Sequence, residues 1–347
     1  MLKIVKVLLL VVAGWIILLA GVVVAFWLLA LPSKGQALAQ AAGIPRPVVI
    51  AHRGASYLAP EATHAAYVMA RELGVDYLEL DIQRTQDGVL VALHDDTLER
   101  TSNVAEVFPD RVTNGVDTFT FAEIQQLDAG AWFNQRFPER GRKTFKGLRV
   151  LRLDDILSIA EGASARMGIC IESKQAHRFP GIEEQLVREL RQRGWIRDRA
   201  TTGRAEVMFQ SFDPDSLKHL KVLAPHVPRI LLIDEILMGK LGWKGVLKTA
   251  EEVATGLGTW GYAWARGPEW SVSAGSRYVT RRAWYTIEAH RAGLLVHPWS
   301  IDDWWEMWVV SLGGADGIFT NRSDLAMQFY HGASKPDIEA LWRKLGY

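Results

Sequence analysis

Residues 75–94 read VDYLELDIQRTQDGVLVALH, two apolar runs joined by a short polar segment. In the first run Glu79 and Asp81 are two residues apart, so a β-strand would place both side chains on one face. Two adjacent carboxylates within an apolar strand repel each other and are poorly solvated. The stretch therefore predicts a buried strand whose acidic face either forms salt bridges with Arg or Lys or binds a cation.

The polar segment between the two runs contains Asp87 and Gly88, a pair typical of a β-hairpin turn. A two-residue turn at this point would place His94 opposite Asp81. We therefore expect an imidazole near the carboxylates, on a local antiparallel pair.

Apolar runs alternate with helix-like segments over about 300 residues, which predicts a parallel sheet with helices outside it. About eight strands, with functional residues at their carboxyl ends, favour a closed (β/α)8 barrel of the TIM type. The runs predicted as strands are 47–51, 75–82, 89–94, 167–173, 207–212, 229–233, 293–299 and 316–320.

The composition is that of a globular protein of 347 residues, with a formal net charge of +1 and a single cysteine, Cys170. The near-neutral charge predicts no nucleic-acid partner, and one cysteine excludes an internal disulfide. We expect one barrel domain over 47–330, with an inserted subdomain at about 98–150 and a C-terminal tail at 331–347. The sequence leaves the oligomeric state open.

The N-terminus predicts a membrane anchor. Two lysines precede an uncharged stretch, 7–33, which is longer than the roughly 20 residues that span a bilayer as a helix. We expect residues 1–34 to form a retained transmembrane helix and 35–46 a linker, with the globular domain on the periplasmic or extracellular side. The alternative is a signal peptide that is removed at ALAQ, 37–40.

A second strand with a polar face is GICIESK, in which Glu172 and Lys174 share one side. Glu172 beside Glu79 and Asp81 would complete a site with three carboxylates, and ligands that are all oxygen suit Mg²⁺ or Ca²⁺. Lys174 would direct a positive charge at a phosphate. The alternative is a Glu–Lys pair within the barrel.

Two histidines, His52 and His94, each lie at the end of an apolar run. A pair of imidazoles can act as general base and general acid near neutral pH, and Arg53 offers a bidentate fork for an anionic oxygen. No nucleophile elbow, Walker loop or zinc-protease motif is present, and Cys170 is interpreted as a core residue. His297 is interpreted as a core residue rather than a cavity residue. The histidines interpreted as surface residues are His64, His177, His219, His226, His290 and His331.

Taken in order, these residues resemble the glycerophosphodiester phosphodiesterase family over about 47–330. The resemblance implies a TIM barrel with a metal-dependent phosphodiesterase site. The matching segments are HRG (52–54), PEAT (60–63), ELDIQRTQDGVLVALHDDTLERTS (79–102), IESK (171–174), SF (211–212), HPWSID (297–302) and DGIFTNRSD (316–324).

By matching position, the resemblance implies a role for nine side chains. The implied ligands of one divalent cation, Ca²⁺ or Mg²⁺, are Glu79, Asp81 and Glu172. The implied acid/base pair is His52 and His94. The implied phosphate and substrate contacts are Arg53, Lys174, Glu61 and, on the alcohol side, Trp299.

The chain departs from the usual family pattern at Ala62, at WSID (299–302) and at Asn321, which bears on substrate fit and not on the metal ligands. The expected activity is hydrolysis of a small glycerophosphodiester to sn-glycerol 3-phosphate and an alcohol. One alternative is a phospholipase D that acts on lysophospholipids or sphingomyelin at a membrane. Another is an anchored barrel that binds phosphodiesters without catalysis. The tryptophans that suggest a lipid substrate are Trp260, Trp264 and Trp270.

Overall fold

The computed structural model of this protein describes residues 6, 11–22, 32–162, 166–197, 203–260 and 285–347. Within these ranges nine strands belong to one sheet, and eight of them run parallel. The strands are β1 (Val48–Ala51), β2 (Tyr77–Arg84), β3 (Leu90–Ala92), β4 (Gly168–Ser173), β5 (Val207–Ser211), β6 (Arg229–Ile233), β7 (Gly256–Thr259), β8 (Leu295–Val296) and β9 (Gly317–Thr320).

The parallel strands close into a barrel. Their hydrogen-bonded order is β8-β7-β6-β5-β4-β2-β1-β9, with β3 attached to β2. The two ends of this order are joined by backbone hydrogen bonds at 2.9 Å, from the amide of Asp316 to the carbonyl of Val296 and from that of Phe319 to Pro298. The predicted eight-stranded TIM-type barrel is confirmed.

Helices follow most of the parallel strands and pack against the outside of the barrel. Residues 11–22 and 285–291 are also helical. The helices with bounds inside the described ranges are α1 (Pro32–Ala42), α2 (His64–Leu73), α3 (Val104–Val107), α4 (Phe121–Ile124), α5 (Ala131–Arg136), α6 (Leu153–Glu161), α7 (Ile182–Gln192), α8 (Pro214–Leu223), α9 (Glu235–Val253), α10 (Trp304–Leu312), α11 (Ser323–His331) and α12 (Ile338–Leu345).

The hairpin of β2 and β3 forms as predicted, but its register differs by one residue. Gln83 pairs with Val91, and the amide of Thr85 donates to the carbonyl of Val89 at 3.0 Å. The loop therefore has three residues, with Gly88 at a φ of 86° in the left-handed position that such loops require. The predicted two-residue turn was wrong, and His94 follows the strand instead of pairing directly with Asp81.

Strand β7, with the sequence GLGT, is absent from the predicted set. Its two glycines are poor strand formers, so no apolar run marks it. They are needed because neighbours approach closely: a Cβ built on Gly258 would lie 2.4 Å from the Leu232 side chain. A Cβ on Gly256 would lie 3.1 Å from the carbonyl oxygen of Leu295. Tight packing inside the barrel therefore overrides strand propensity here.

The amino-terminal end of the barrel is closed by an apolar core. Helix α1 contributes the buried Ala39, and Ile44 follows it. Apolar side chains therefore fill the interior of the barrel at this end. The barrel residues that pack in this core are Val48, Ile50, Tyr77, Cys170, Met208, Ile230, Leu232, Leu295 and Phe319.

Residues 98–150 form short helices around buried aromatic rings. Phe133 and Phe145 are fully buried, with ring centroids 5.8 Å apart. Helix α12 covers them, since Trp342 packs against Phe145 with ring centroids 5.4 Å apart. The C-terminal segment thus packs on the inserted segment.

In the described part of the N-terminus, residues 11–22 form a helix with exposed apolar side chains. None of the helices described here is both long and apolar enough to cross a bilayer. The predicted span over 7–33 includes 7–10 and 23–31, which lie outside the described residues. The ALAQ segment lies within α1, where Ala39 is buried.

Candidate active site

The three predicted metal ligands lie together inside the barrel. Glu79 and Asp81 share the inner face of β2, and Asp81 is in register with Glu172 on the neighbouring strand β4. All three side chains are buried, and their carboxylate oxygens lie within 4.8 Å of one another. We call these three residues the acidic cluster.

Two cationic side chains contact the acidic cluster. The Nζ atom of Lys174 lies 2.7 Å from Glu172 Oε1 and 3.4 Å from Asp81 Oδ1. The Nε atom of Arg53 lies 3.2 Å from Asp81 Oδ2. The backbone amide of Arg53 also donates a hydrogen bond to Glu79 Oε2 at 2.7 Å. The salt bridges that were the alternative to a metal site are therefore present. However, only two cationic side chains face three carboxyl groups.

The pKa values of the acidic cluster show that positive charge is in deficit. Burial and repulsion from Asp81 raise the pKa of Glu79 well above its ordinary value. Burial raises the pKa of Glu172 to about 8, even though Lys174 opposes this change. Burial also acts to raise the pKa of Asp81, but Lys174 and Arg53 outweigh it and the pKa of this carboxyl is lowered. Additional positive charge would allow all three groups to ionise.

A divalent cation fits this arrangement. Neither side-chain oxygen of Asp81 has a hydrogen-bond partner within the described part of the chain, although the residue is only 2% exposed. Buried polar atoms without partners are rare, and ion pairing at 3.2–3.4 Å does not replace a short ligand contact. The donor atoms of Glu79, Asp81 and Glu172 are all carboxylate oxygens, which suits a hard cation.

His52 is held in one orientation at the end of β1. Its Nδ1 atom lies 2.8 Å from Asn321 Oδ1 and 3.2 Å from the Ser300 hydroxyl. The Nδ2 atom of Asn321 donates to Asp302 Oδ2 at 2.6 Å, so its oxygen faces the imidazole. Nδ1 of His52 therefore carries the proton, and Nε2 is left as an acceptor.

The environment keeps the His52 imidazole neutral. Burial, together with the neighbouring Arg53 charge, lowers the pKa of His52 to about 3. The imidazole is therefore unprotonated at neutral pH, with an acceptor at Nε2, which is the form that a general base requires.

His94 lies in a more open environment. Its Nδ1 atom lies 2.6 Å from Asp95 Oδ1, and about a third of its side chain is exposed. Arg100 binds the other oxygen of Asp95 at 2.5 Å. His94, Glu172 and Lys174 line one cavity with about 1650 Å³ of empty space, which we call the catalytic cavity. An imidazole that is hydrogen-bonded to a carboxylate at the wall of this cavity can donate a proton to a bound molecule.

Glu61 and Trp299 also lie next to the site. Glu61 accepts hydrogen bonds from Arg53 at 3.0 Å and from Arg100 at 2.7 Å, so it orients both guanidinium groups. The Trp299 indole donates to the Gly258 carbonyl at 3.0 Å and packs edge-on against Phe212. Of the nine residues selected from the sequence, Glu79, Asp81 and Glu172 lie within β2 and β4, and the other six lie in the segments that follow β1, β3, β4 and β8.

Several partners of these residues were not predicted as part of the site. Asn321 was noted only as a departure from the family pattern, and Gln210 donates to Glu79 Oε1 at 2.8 Å without a motif to mark it. Asp302 and Asp95 lie inside matching segments, which was a usable signal. His290 was predicted at the surface, which was wrong: it is buried and its Nε2 atom lies 2.8 Å from Asp316 Oδ2.

Comparison with known proteins bears directly on this site. The model of the glycerophosphoryl diester phosphodiesterase family matches residues 52–325, a range that contains all nine predicted site residues. The chain belongs to this family. It is 31% identical over 293 residues to the glycerophosphodiester phosphodiesterase of Bacillus subtilis (strain 168), covering 84% of this chain and 88% of that protein. The family membership identifies the chain as a phosphodiesterase.

Other known proteins are similar to this chain in sequence or in fold. A glycerophosphodiester phosphodiesterase of Caldanaerobacter subterraneus subsp. tengcongensis is 36% identical over 182 residues, covering 52% of this chain and 65% of that protein. The crystal structure of the Agrobacterium tumefaciens str. C58 enzyme matches with a TM-score of 0.54 at 28% identity, covering 80% of this chain and 97% of that one. An Oleispira antarctica phosphodiesterase, solved with its product sn-glycerol-3-phosphate, shares the fold with a TM-score of 0.59 at 24% identity, covering 82% of this chain and 96% of that one.

Proposed function

We propose that this protein hydrolyses glycerophosphodiesters to sn-glycerol 3-phosphate and an alcohol, with His52 and His94 as the acid/base pair. The observation that carries the proposal is the acidic cluster, with oxygens within 4.8 Å, next to Arg53, Lys174 and two imidazoles with different surroundings. A phosphodiester carries one negative charge on two non-bridging oxygens. Arg53 and Lys174 supply the positive charge that orients such a group at the mouth of the barrel.

The acidic cluster is the proposed binding site for one Ca²⁺ or Mg²⁺ ion. When bound, such an ion would stabilise the negative charge that develops on the phosphoryl oxygens. The excess of buried carboxyl groups over cations supports this part of the proposal, because an ion restores the balance of charge.

The two histidines divide the proton transfers. His52 accepts the proton of the attacking oxygen at Nε2, since Asn321 holds the proton on Nδ1. The attacking oxygen comes from water or from a hydroxyl group of the glycerol moiety. As its bond to phosphorus forms, the bond from phosphorus to the alcohol oxygen breaks, and His94 protonates the departing oxygen. Asp95, 2.6 Å from Nδ1 of His94, orients the ring for this transfer.

A substrate panel tests the proposal. The protein, freed of metal by EDTA and dialysis, is assayed on glycerophosphocholine, glycerophosphoethanolamine and sphingomyelin with and without Ca²⁺ or Mg²⁺. We expect release of glycerol phosphate from the first two substrates only when one of the ions is present. Glu172→Gln should lower turnover by about 100-fold or more, since one ligand is lost.

The matched control is Glu184→Gln, which changes an exposed acid in another group of carboxylates, near Glu183 and His219. It should leave turnover unchanged. Full activity of the EDTA-treated protein, or cleavage of sphingomyelin alone, would contradict the proposal.

We also propose that the N-terminal segment anchors the enzyme in a membrane, with the barrel on the extracytoplasmic side. The uncharged stretch over 7–33 behind two lysines supports this proposal. Expression of the full chain, with the membrane pellet probed by carbonate extraction and external protease, tests it. A barrel found entirely in the soluble fraction would contradict the proposal.

A further inference from the structure

The buried amide of Gln83 lies on the strand that carries the acidic cluster. Gln83 follows Asp81 by two residues on β2, so the two side chains share one face, and their positions along the strand are roughly 7 Å apart. Only 1% of Gln83 is exposed. A buried side-chain amide needs partners for the two N–H groups that it can donate.

Both of these donors go to the segment that carries His94. The Nε2 atom of Gln83 donates to the carbonyl oxygen of Leu93 at 2.9 Å and to that of Asp95 at 2.7 Å. Leu93 and Asp95 are the residues on either side of His94. A single planar NH₂ group therefore holds the backbone both before and after the imidazole.

The orientation of the Gln83 amide follows from these contacts. An Oε1 atom in the place of Nε2 would face two carbonyl oxygens, neither of which can donate a hydrogen bond. Oε1 instead lies buried, without a hydrogen-bond partner among the residues that the structure describes. An unpaired buried acceptor costs free energy. The fold therefore keeps the two bonds to the His94 segment at the expense of a fully paired amide.

Regular strand pairing does not reach His94. Strand β3 ends at Ala92, and the amide of Leu93 then donates to the carbonyl oxygen of Asp81 at 3.0 Å. Residues 93–96 belong to no helix or strand. The side chain of Gln83 thus extends the attachment of this segment to β2 past His94.

One strand therefore supports two parts of the site. Strand β2 provides two carboxylates of the acidic cluster, Glu79 and Asp81, and through Gln83 it also holds the backbone of His94. A rigid element positions functional groups more precisely than a loop does. Such placement matters for proton transfer, because a displacement of about 1 Å can lower a rate by about 100-fold.

We propose that Gln83 is a positioning residue for His94, and this inference rests on the proposed role of His94 as the acid. Asp95 orients the imidazole ring, whereas Gln83 sets the place of the ring relative to the acidic cluster. Gln83 acts through the backbone at 93–95 and transfers no proton itself. Its loss affects the step that needs the acid, which is protonation of the departing alcohol.

The leaving group distinguishes this role from a purely structural one. Choline would depart as a strongly basic alkoxide and needs a proton, whereas p-nitrophenolate is a weak base and leaves without one. Gln83→Met keeps a side chain of similar size and removes both donors. With Ca²⁺ or Mg²⁺ present, it should lower kcat for glycerophosphocholine by about 10–100-fold, with little change in KM. The kcat for the p-nitrophenyl ester of glycerol phosphate should be nearly unchanged.

Gln185→Met is the matched control. Gln185 on α7 donates to the carbonyl oxygen of Gly88 at 2.7 Å, in the turn of the same hairpin, so its loss removes a contact of the hairpin but none of the His94 segment. It should leave the kcat for both substrates unchanged. Circular dichroism and thermal unfolding show whether each variant folds. If Gln83→Met does not fold, Gln83→Asn gives the same comparison, because its shorter side chain withdraws the amide from both carbonyl groups.

A double variant provides an independent measurement. In His94→Asn the proposed acid is already absent, so the addition of Gln83→Met should lower kcat for glycerophosphocholine little further. Two residues that act through one step show such non-additive effects, whereas independent losses multiply.

The outcomes separate this inference from the proposed function. The positioning role would be overturned, and the phosphodiesterase proposal left intact, by an unchanged kcat for glycerophosphocholine in Gln83→Met or by an equal loss on both substrates. Multiplied losses in the double variant, or failure of both Gln83 variants to fold, would overturn it as well. A wild-type protein that hydrolyses neither substrate with metal present would contradict the proposed function, and this inference with it.

Discussion

The two sides of the barrel mouth differ in what they bury. On the side of β1, β2 and β4, the inward side chains are carboxylates, a guanidinium and an ammonium, all within a few ångströms of one another. On the side of β6, β7 and β8, Leu232 and Gly258 are in register, and the Trp299 side chain packs next to Gly258. The charged side is suited to the phosphodiester and the apolar side to the rest of the substrate.

This division has an energetic reason. Buried charges are tolerated only when opposite charges or an ion compensate them, which restricts every residue on the charged side. The apolar side has no such requirement, since its packing depends on shape and area. Substitutions on the charged side should therefore change turnover, whereas those on the apolar side should change substrate choice or stability.

The largest effect is expected for His94→Asn on the charged side. Loss of the proposed proton donor should lower kcat by about 10²–10⁴-fold, because a positioned acid contributes that much to bond cleavage. The measurement is steady-state turnover of glycerophosphocholine with metal present, with thermal unfolding to verify the fold. His219→Asn, at a half-exposed histidine of α8, is the matched control and should retain full turnover. A variant that kept more than a tenth of wild-type kcat would exclude His94 as the acid.

A smaller loss is expected for Asn321→Ala, which removes the acceptor that holds the His52 tautomer. Without it the imidazole can rotate or carry its proton on Nε2, and kcat should fall by about 100-fold with little change in KM. Asn321→Asp keeps an acceptor at the same position and should restore part of the loss. Kinetics of both variants on the same substrate provide the measurement. Equal activity of Asn321→Ala and wild type would show that His52 does not depend on this contact.

On the apolar side, His297 is expected to affect stability rather than turnover. It is fully buried, neither ring nitrogen has a hydrogen-bond partner within the described chain, and burial lowers its pKa to about 4. The unfolded chain, with a pKa of about 6.5, binds the proton more readily, so stability is lost as pH falls from about 6.5 to 4. The free energy of unfolding should be about 2 kcal/mol lower at pH 5 than at pH 7 because of this group.

His297→Leu removes the titrating group. The free energy of unfolding of this variant should therefore fall less between pH 7 and pH 5 than that of the wild type. Urea denaturation at the two pH values measures the difference. The same pH dependence in both proteins would mean that the imidazole already carries a proton in the folded state or that water solvates it.

The two sides of the mouth also differ in how far they could be predicted from the sequence. The charged side was predictable because Glu79, Asp81 and Glu172 interrupt apolar strands, where a carboxylate is costly and therefore informative. On the apolar side β7 was missed, because a glycine that fits against Leu232 leaves no pattern in the sequence.

Two further features could not be predicted from the sequence: the register of the β2–β3 hairpin and the hydrogen-bond partner of His52. The hairpin turn was one residue longer than its Asp-Gly pair suggested, because Thr85 pairs with Val89 around a three-residue loop. The contact of His52 with Asn321 joins residues 269 positions apart, and only closure of the barrel brings them together. Local pattern selected the candidate acid/base and metal-binding side chains, whereas the contacts that orient them required the folded structure.

The smallest effect is expected for Arg100→Met, at the outer edge of the charged side. Arg100 joins Asp95 to Glu61, but its side chain is 44% exposed, so water screens both pairs. The free energy of unfolding should fall by only about 0.2–1 kcal/mol, and kcat/KM should fall by no more than about fivefold. Arg152→Met, which breaks a similarly exposed pair with Asp155, is the control for loss of a surface ion pair alone. If kcat/KM falls much further in Arg100→Met than in the control, the Arg100 guanidinium contacts the substrate in addition to its two carboxylate partners. Arg100 would then belong to the charged side of the site.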